Sequence, residues 1–125
     1  RLGLLTEPVE KVRAEARQER ERTIGRMADF GLLGEDASER EIVEALHRYI
    51  VQTPSLLLGV ALTDAVGERR AQNQPGTDQE YPNWKIPLAD GSERIVLVED
   101  LPSNARLLSL VAAVRSQLGD ADRLA

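Results

Sequence analysis

From Gly67 to about Glu93 the chain passes through Pro75, Gly76, Pro82, Pro87 and Gly91 with no stretch able to sustain a helix. Proline fixes φ and removes a backbone donor, and glycine weakens any regular element it interrupts. A polar stretch this long divides the chain into one helical part before it and another after it. Such a loop is either functional or disordered, and its content favours function. Asn73-Gln74-Pro75-Gly76-Thr77 is followed by Tyr81-Pro82-Asn83-Trp84, which holds the single tryptophan of the chain. Loops carry binding residues more often than the scaffold beneath them.

The flanking segments read as helices. Thr6-Glu7-Pro8 is a helix start, with Thr6 as N-cap and Pro8 in the first turn. That helix is expected to run to about Phe30 and stop at Gly31. Its apolar stripe of Val9, Val12, Ala16, Ile24 and Met27 is thin, and the segment from Glu15 to Arg22 is almost wholly polar. It should be a largely solvated helix that touches the core along one seam, with Arg17 and Glu21 paired at i,i+4. Ser38 and Glu41 form a capping box. Ile42, Val43, Leu46, Tyr49 and Ile50 follow at helical spacing, and Pro54 lies beyond the end. Ser103 to about Leu118 is expected as a last amphipathic helix. Leu107, Leu108, Val111, Val114 and Leu118 would line one face, and Gly119 would stop it.

Between these helices, Leu56 to Leu62 is a continuous apolar run between Pro54 and Asp64. Its length suits a strand buried on both faces, with a buried helical segment as the competing reading. Lys85–Leu88 and Arg94–Val98 could be short extended pieces around an Asp90-Gly91 turn, with Pro87 holding the first at an edge.

Composition narrows the function. The 125 residues suit one domain. With four aromatic residues, a core must be built from Leu, Val, Ile and Ala. A net charge of -5 gives no basic surface for nucleic acid and no pull toward anionic lipid. With no cysteine, disulfides and thiolate metal sites are excluded. No apolar run approaches the roughly 20 residues of a membrane span.

No P-loop, dinucleotide fingerprint, metal-spaced histidine cluster or nucleophile elbow is present. His47 lies mid-helix with no nucleophile at useful spacing, and reads as an ordinary surface or half-buried residue. Asp64 with Asp78 or Glu80 could form an acid/base pair, or could cap a turn and solvate the loop. Arg69 and Arg70 could clamp an anion or a hydroxyl-rich ligand, or could sit on the surface or pair with Glu68 and Asp64. The Asn73 block offers more. Asn73 presents both donor and acceptor. Pro75-Gly76 makes a tight turn that lets backbone approach a ligand. Tyr81 and Trp84 offer flat apolar faces with polar edges, the complement of a sugar ring. A loop pinned by a buried tryptophan is the structural alternative.

Thr53-Pro54-Ser55-Leu56, Leu58-Gly59-Val60, Asp64-Ala65-Val66-Gly67, Gln72-Asn73-Gln74-Pro75-Gly76-Thr77, Glu80-Tyr81-Pro82-Asn83-Trp84 and Lys85-Ile86-Pro87-Leu88 together resemble the C-terminal region of the amylomaltases. These are the bacterial 4-alpha-glucanotransferases, or disproportionating enzymes. The likeness runs from about residue 42 to 118. It implies a mainly α chain with one or two short strands, the C-terminal piece of a (β/α)8 barrel. Residues 1–53 would be a helical segment, 54–66 the last barrel strand, 67–99 the active-site rim loop and 100–125 the closing helix. The family moves α-1,4-glucan segments between maltodextrins by a retaining double displacement and uses no cofactor or metal.

By motif match, Asn73, Pro75 and Gly76 are the substrate contacts, and Asn83 and Trp84 anchor the loop. The family's catalytic carboxylates lie on earlier strands, so no catalytic residue is expected in this chain. Neither Asp64 nor Glu80 takes that role. The chain begins at Arg1 rather than Met, which fits a piece of a longer cytoplasmic enzyme of maltodextrin and glycogen metabolism. Alone it should be inactive and prone to self-association through residues 56–62, or should hold that stretch in a non-barrel arrangement. A noncatalytic helical interaction domain, and a small carbohydrate-binding module built on Trp84, are the competing readings.

Overall fold

The computed structural model describes residues 7–124, with side chains through residue 119. It is mainly helical. Helix α1 spans Val9–Asp29, α2 Glu39–Val51, α3 Leu62–Val66 and α4 Ala105–Leu124, with a 3-10 helix at Val98–Ser103. The only pairing of extended backbone among the described residues is one antiparallel bridge, Ala89 to Ile95.

Helix α1 is solvated along most of its length, and Met27 is its one buried residue. Ion pairs on its surface join Lys11 to Glu7 and Glu15, and Arg13 to Glu10. The expected Arg17–Glu21 pair does not form among the described residues. Thr6 lies outside them, and the residue before the first helical turn is Pro8. The helix ends as its sequence suggests. Gly31 adopts φ 68°, and the N–H groups of Gly31 and Leu32 donate to the carbonyls of Ala28 and Met27. Phe30 meets Tyr49 of α2 with ring centroids 5.1 Å apart.

The capping box forms at the start of α2. Glu41 N–H donates to Ser38 Oγ, and Ser38 N–H donates to the Glu41 carboxylate at 2.8 Å. Helix α4 packs mainly on α2 and also on α3. The core is Ala65, Leu110 and Val114, with Val51, Leu58 and Leu107 against it. Leu110, 2% exposed, removes most of its apolar area from water, worth about 2–3 kcal/mol. Two polar groups are satisfied beside this core. Ser109 Oγ donates to Glu44 at 2.6 Å, bridging α4 and α2. His47 Nδ1 lies 2.8 Å from the Val43 carbonyl one turn earlier, as befits an ordinary helical histidine.

Of the two courses expected for residues 56–62 in this chain, the structure takes the non-barrel arrangement, and two expectations about α4 need correction. Residues 56–61 form no strand, and Leu62 already belongs to α3. Leu56 is 98% and Leu57 90% exposed, and only Leu58 reaches the core. A strand exists only in a ladder, and no described residue pairs with this segment. The buried side of α4 is Leu107, Leu110, Ala113 and Val114, whereas Leu108, Val111 and Leu118 are exposed. The helix carries two apolar stripes, and α2 and α3 cover one of them. Gly119 does not end α4, which continues to Leu124. A helical glycine costs about 1 kcal/mol relative to alanine, too little to stop a helix whose neighbours favour it.

Candidate functional site

The segment from Gly67 to Leu97 has almost no regular structure, yet its shape is fixed by side chains. At its entry Gly67 closes α3 with φ 84°. The Arg106 guanidinium packs over it so closely that a Cβ there would lie 2.8 Å from Arg106. The positive φ favours glycine, and a side chain there would also have to displace the Arg106 guanidinium. At its far end, Asp90 builds the turn foreseen around Asp90-Gly91. Its Oδ1 accepts from the N–H groups of Ser92 and Arg94, and Arg94 N–H apart, the Arg94 guanidinium also binds Oδ2. These bonds, the Ser92 N–H first, lower the Asp90 pKa.

Between these ends lies a loop with a tied neck, of the compact kind that frequently carries function. Tyr81 Oη donates to the Ala71 carbonyl at 2.6 Å. Trp84 N–H donates to the Gln72 carbonyl at 2.8 Å. Asn83 fills the interior. Its Oδ1 accepts from Gln74 N–H at 2.7 Å, and its Nδ2 donates to the carbonyl and hydroxyl of Thr77. At the tip, Pro75 and Gly76 form the expected tight turn. Thr77 N–H reaches the Gln74 carbonyl, and Gly76 takes φ 81°, the geometry that requires glycine at the third position.

Asn73 and Asn83 are used in opposite ways. Asn83 engages both ends of its amide within the loop. The Asn73 side chain is exposed and makes no hydrogen bond among the described residues. Pro75 and Gly76 are exposed beside it. Trp84 is 76% exposed, so a tryptophan buried in the core does not pin this loop. Trp84 holds the neck through its backbone, in a left-handed conformation at φ 59°. Trp84 also lines an open cleft of about 600 Å³, together with Leu62, Asp64, Arg69 and Gln72.

Set against known proteins, residues 6–92 match the model of the 4-alpha-glucanotransferase family. The chain belongs to that family. It is 49% identical over 117 residues to 4-alpha-glucanotransferases of Mycobacterium bovis and Mycobacterium tuberculosis. The match covers 92% of this chain but spans only 16% of the length of those relatives. No solved structure matches it.

The other residues singled out in the sequence lie around the loop and the cleft. Asp64 lines the cleft, whereas the Glu80 carboxylate accepts from Asp78 N–H inside the loop. That bond is the first cause of the lowered Glu80 pKa. The cleft lining contains neither Asp78 nor Glu80, so the structure does not assemble the Asp64 acid/base pair there. Arg69 pairs with Glu39 at the start of α2, and Arg106 reaches the same carboxylate at 3.4 Å. The Arg69 bond leads the forces that lower the Glu39 pKa. Arg70 pairs with Glu68 at 2.6 Å, the pairing that was one of the alternatives for these arginines. Among the described residues no group of acidic or histidine side chains could hold a metal, and no helix is long and apolar enough to cross a membrane.

Glu68 is the residue that reading the sequence undervalued. Its side chain is 1% exposed and accepts four hydrogen bonds. Oε1 takes Arg70 N–H at 2.8 Å and Arg70 Nε at 3.0 Å. Oε2 takes Arg70 Nη2 at 2.6 Å and Ala89 N–H at 3.0 Å. The Arg70 side chain foremost, then the backbone donors, hold its pKa down from 4.5 to about 2.

Proposed function

We propose that this chain forms one wall of the glucan cleft in a retaining 4-alpha-glucanotransferase that transfers α-1,4-glucan segments between maltodextrins. Asn73, with the Pro75-Gly76 backbone, contacts the glucan. Asn83 and the Trp84 backbone hold the loop that presents them. The supporting observation is the exposed Asn73 amide, without a hydrogen bond among the described residues, next to a turn that Asn83 and Thr77 hold in place. Preorganised donors and acceptors of this kind fix the orientation of a sugar without first having to be ordered. The catalytic carboxylates belong to the larger part of the polypeptide. In its presence, Leu56 to Leu62 supplies the last barrel strand, a reading favoured by the uncovered Leu56 and Leu57.

The test is Asn73→Ala in the full-length protein with maltotriose as donor and acceptor. Loss of one such contact should lower kcat/KM by about tenfold and leave the melting temperature unchanged. Wild-type turnover would remove Asn73 from the site.

A further inference from the structure

Glu68 stands where the loop joins the helical scaffold. Its own N–H donates to the Thr63 carbonyl of α3 at 2.9 Å, and α3 is seated in the core through Ala65. Its carboxylate reaches across to Ala89, 21 residues later. Arg70, gripped by that carboxylate, donates through Nη2 to the Pro87 carbonyl at 2.8 Å, 17 residues later. Together they join the outgoing limb of the loop, residues 68–72, to its returning limb, residues 87–89. The ties from Ala71 to Tyr81, Gln72 to Trp84 and Gln74 to Asn83 lie inward of them along the same two limbs. A carboxylate offers about four acceptor positions, and all four are engaged here.

Resting on the glucan-wall reading above, we propose that Glu68 is a positioning residue that sets the place of Asn73 relative to the scaffold. It does not meet the sugar. It transmits the position of α3 to the neck of the loop through Arg70 and Ala89. A glutamine at 68 would fit the space but turn an NH2 group toward two donors, whichever way its amide lies. The outer fastening would then open while the inner ties remain.

The experiment is Glu68→Gln in the full-length protein, read by deuterium uptake and by maltotriose kinetics. Peptides covering residues 70–90 should exchange about tenfold faster, with those covering α2 and α4 unchanged, as local rather than global opening requires. KM should rise about tenfold with kcat within about twofold, the signature of lost uniform binding. Uniformly faster exchange across all helices would mean a purely structural role and overturn the proposal. Unchanged exchange in 70–90 would also overturn it. Faster loop exchange with unchanged KM overturns it as well, and Asn73→Ala then locates the fault. If Asn73→Ala still weakens turnover, the glucan wall stands and Glu68 does not position it. If Asn73→Ala is silent too, the glucan wall is itself wrong. Should Glu68→Gln fail to fold, Arg70→Lys replaces the forked contact at a half-exposed side chain, and the same outcomes apply.

Discussion

The helices and the loop from Gly67 to Leu97 are held by different forces. Ala65, Leu110 and Val114 are held by the removal of apolar surface from water, which is undirected and tolerant of small shifts. The loop has little apolar burial and is held by side chains aimed at backbone: Asn83, Glu68, Asp90 and Tyr81. Directed bonds fix a shape without thick packing, which suits a segment that must present polar groups to a ligand. The two regions should therefore fail separately. Leu110→Ala should produce the largest effect, with about 3 kcal/mol lost in urea unfolding of the chain. Because α3 rests on Leu110, the loop should melt with the helices in that variant. A loss under about 1 kcal/mol would mean that α4 is not the centre of the core.

Asn83→Ala makes the opposite cut. It removes one acceptor from Gln74 and the donor to Thr77 while touching no core residue. The expected effect is about 1–2 kcal/mol, confined to the loop. Amide exchange should accelerate at Gln74 and Trp84 and stay unchanged in α2 and α4. Acceleration in all helices would show that loop and scaffold form one cooperative unit, and would erase the distinction between them.

Much of this contrast can be read in the sequence wherever the cause is local. The Ser38 capping box, the Gly31 stop, the Pro75-Gly76 turn and the Asp90-Gly91 turn each depend on residues within a few positions, and each forms. The Asn73-to-Trp84 block stands out for the same reason. Failures occur where a partner is distant. Leu56 to Leu62 has the composition of a strand, but a ladder needs a neighbour that no local pattern supplies. Helix α4 has two apolar stripes at helical spacing, and only the positions of α2 and α3 decide which is covered. Glu68 looks like a short-range partner of Arg70, because its bond to Ala89 is invisible until the loop has folded back.

Acid should loosen the loop before any mutation does, by a smaller and more local change. The folded Glu68 pKa is depressed, so the bound carboxylate contributes stability above its ordinary pKa of 4.5. That contribution is lost as pH falls from there through about 2. The Ala89 amide resonance, followed by NMR, should titrate near the lower value and not near 4.5. Glu68→Gln should abolish that titration. A midpoint near 4.5 would mean that the carboxylate does not hold Ala89 in solution, and that the loop relies on its inner ties alone.

The smallest expected effect falls on the most conspicuous residue. Trp84 is the only tryptophan of the chain, and large aromatics usually dominate the energetics of the places they occupy. Here the indole is mostly in solvent, and the bond to Gln72 comes from the backbone, which any residue can supply. The left-handed φ of Trp84 strains any residue that carries a Cβ, so Trp84→Ala neither relieves that strain nor uncovers a buried contact. Its urea midpoint should move by the equivalent of about 0.5 kcal/mol or less. A loss above about 2 kcal/mol would place the indole among the groups that hold the loop. A silent substitution leaves its ring free for the cleft beside Asp64 and Arg69, where its work would be recognition and not support.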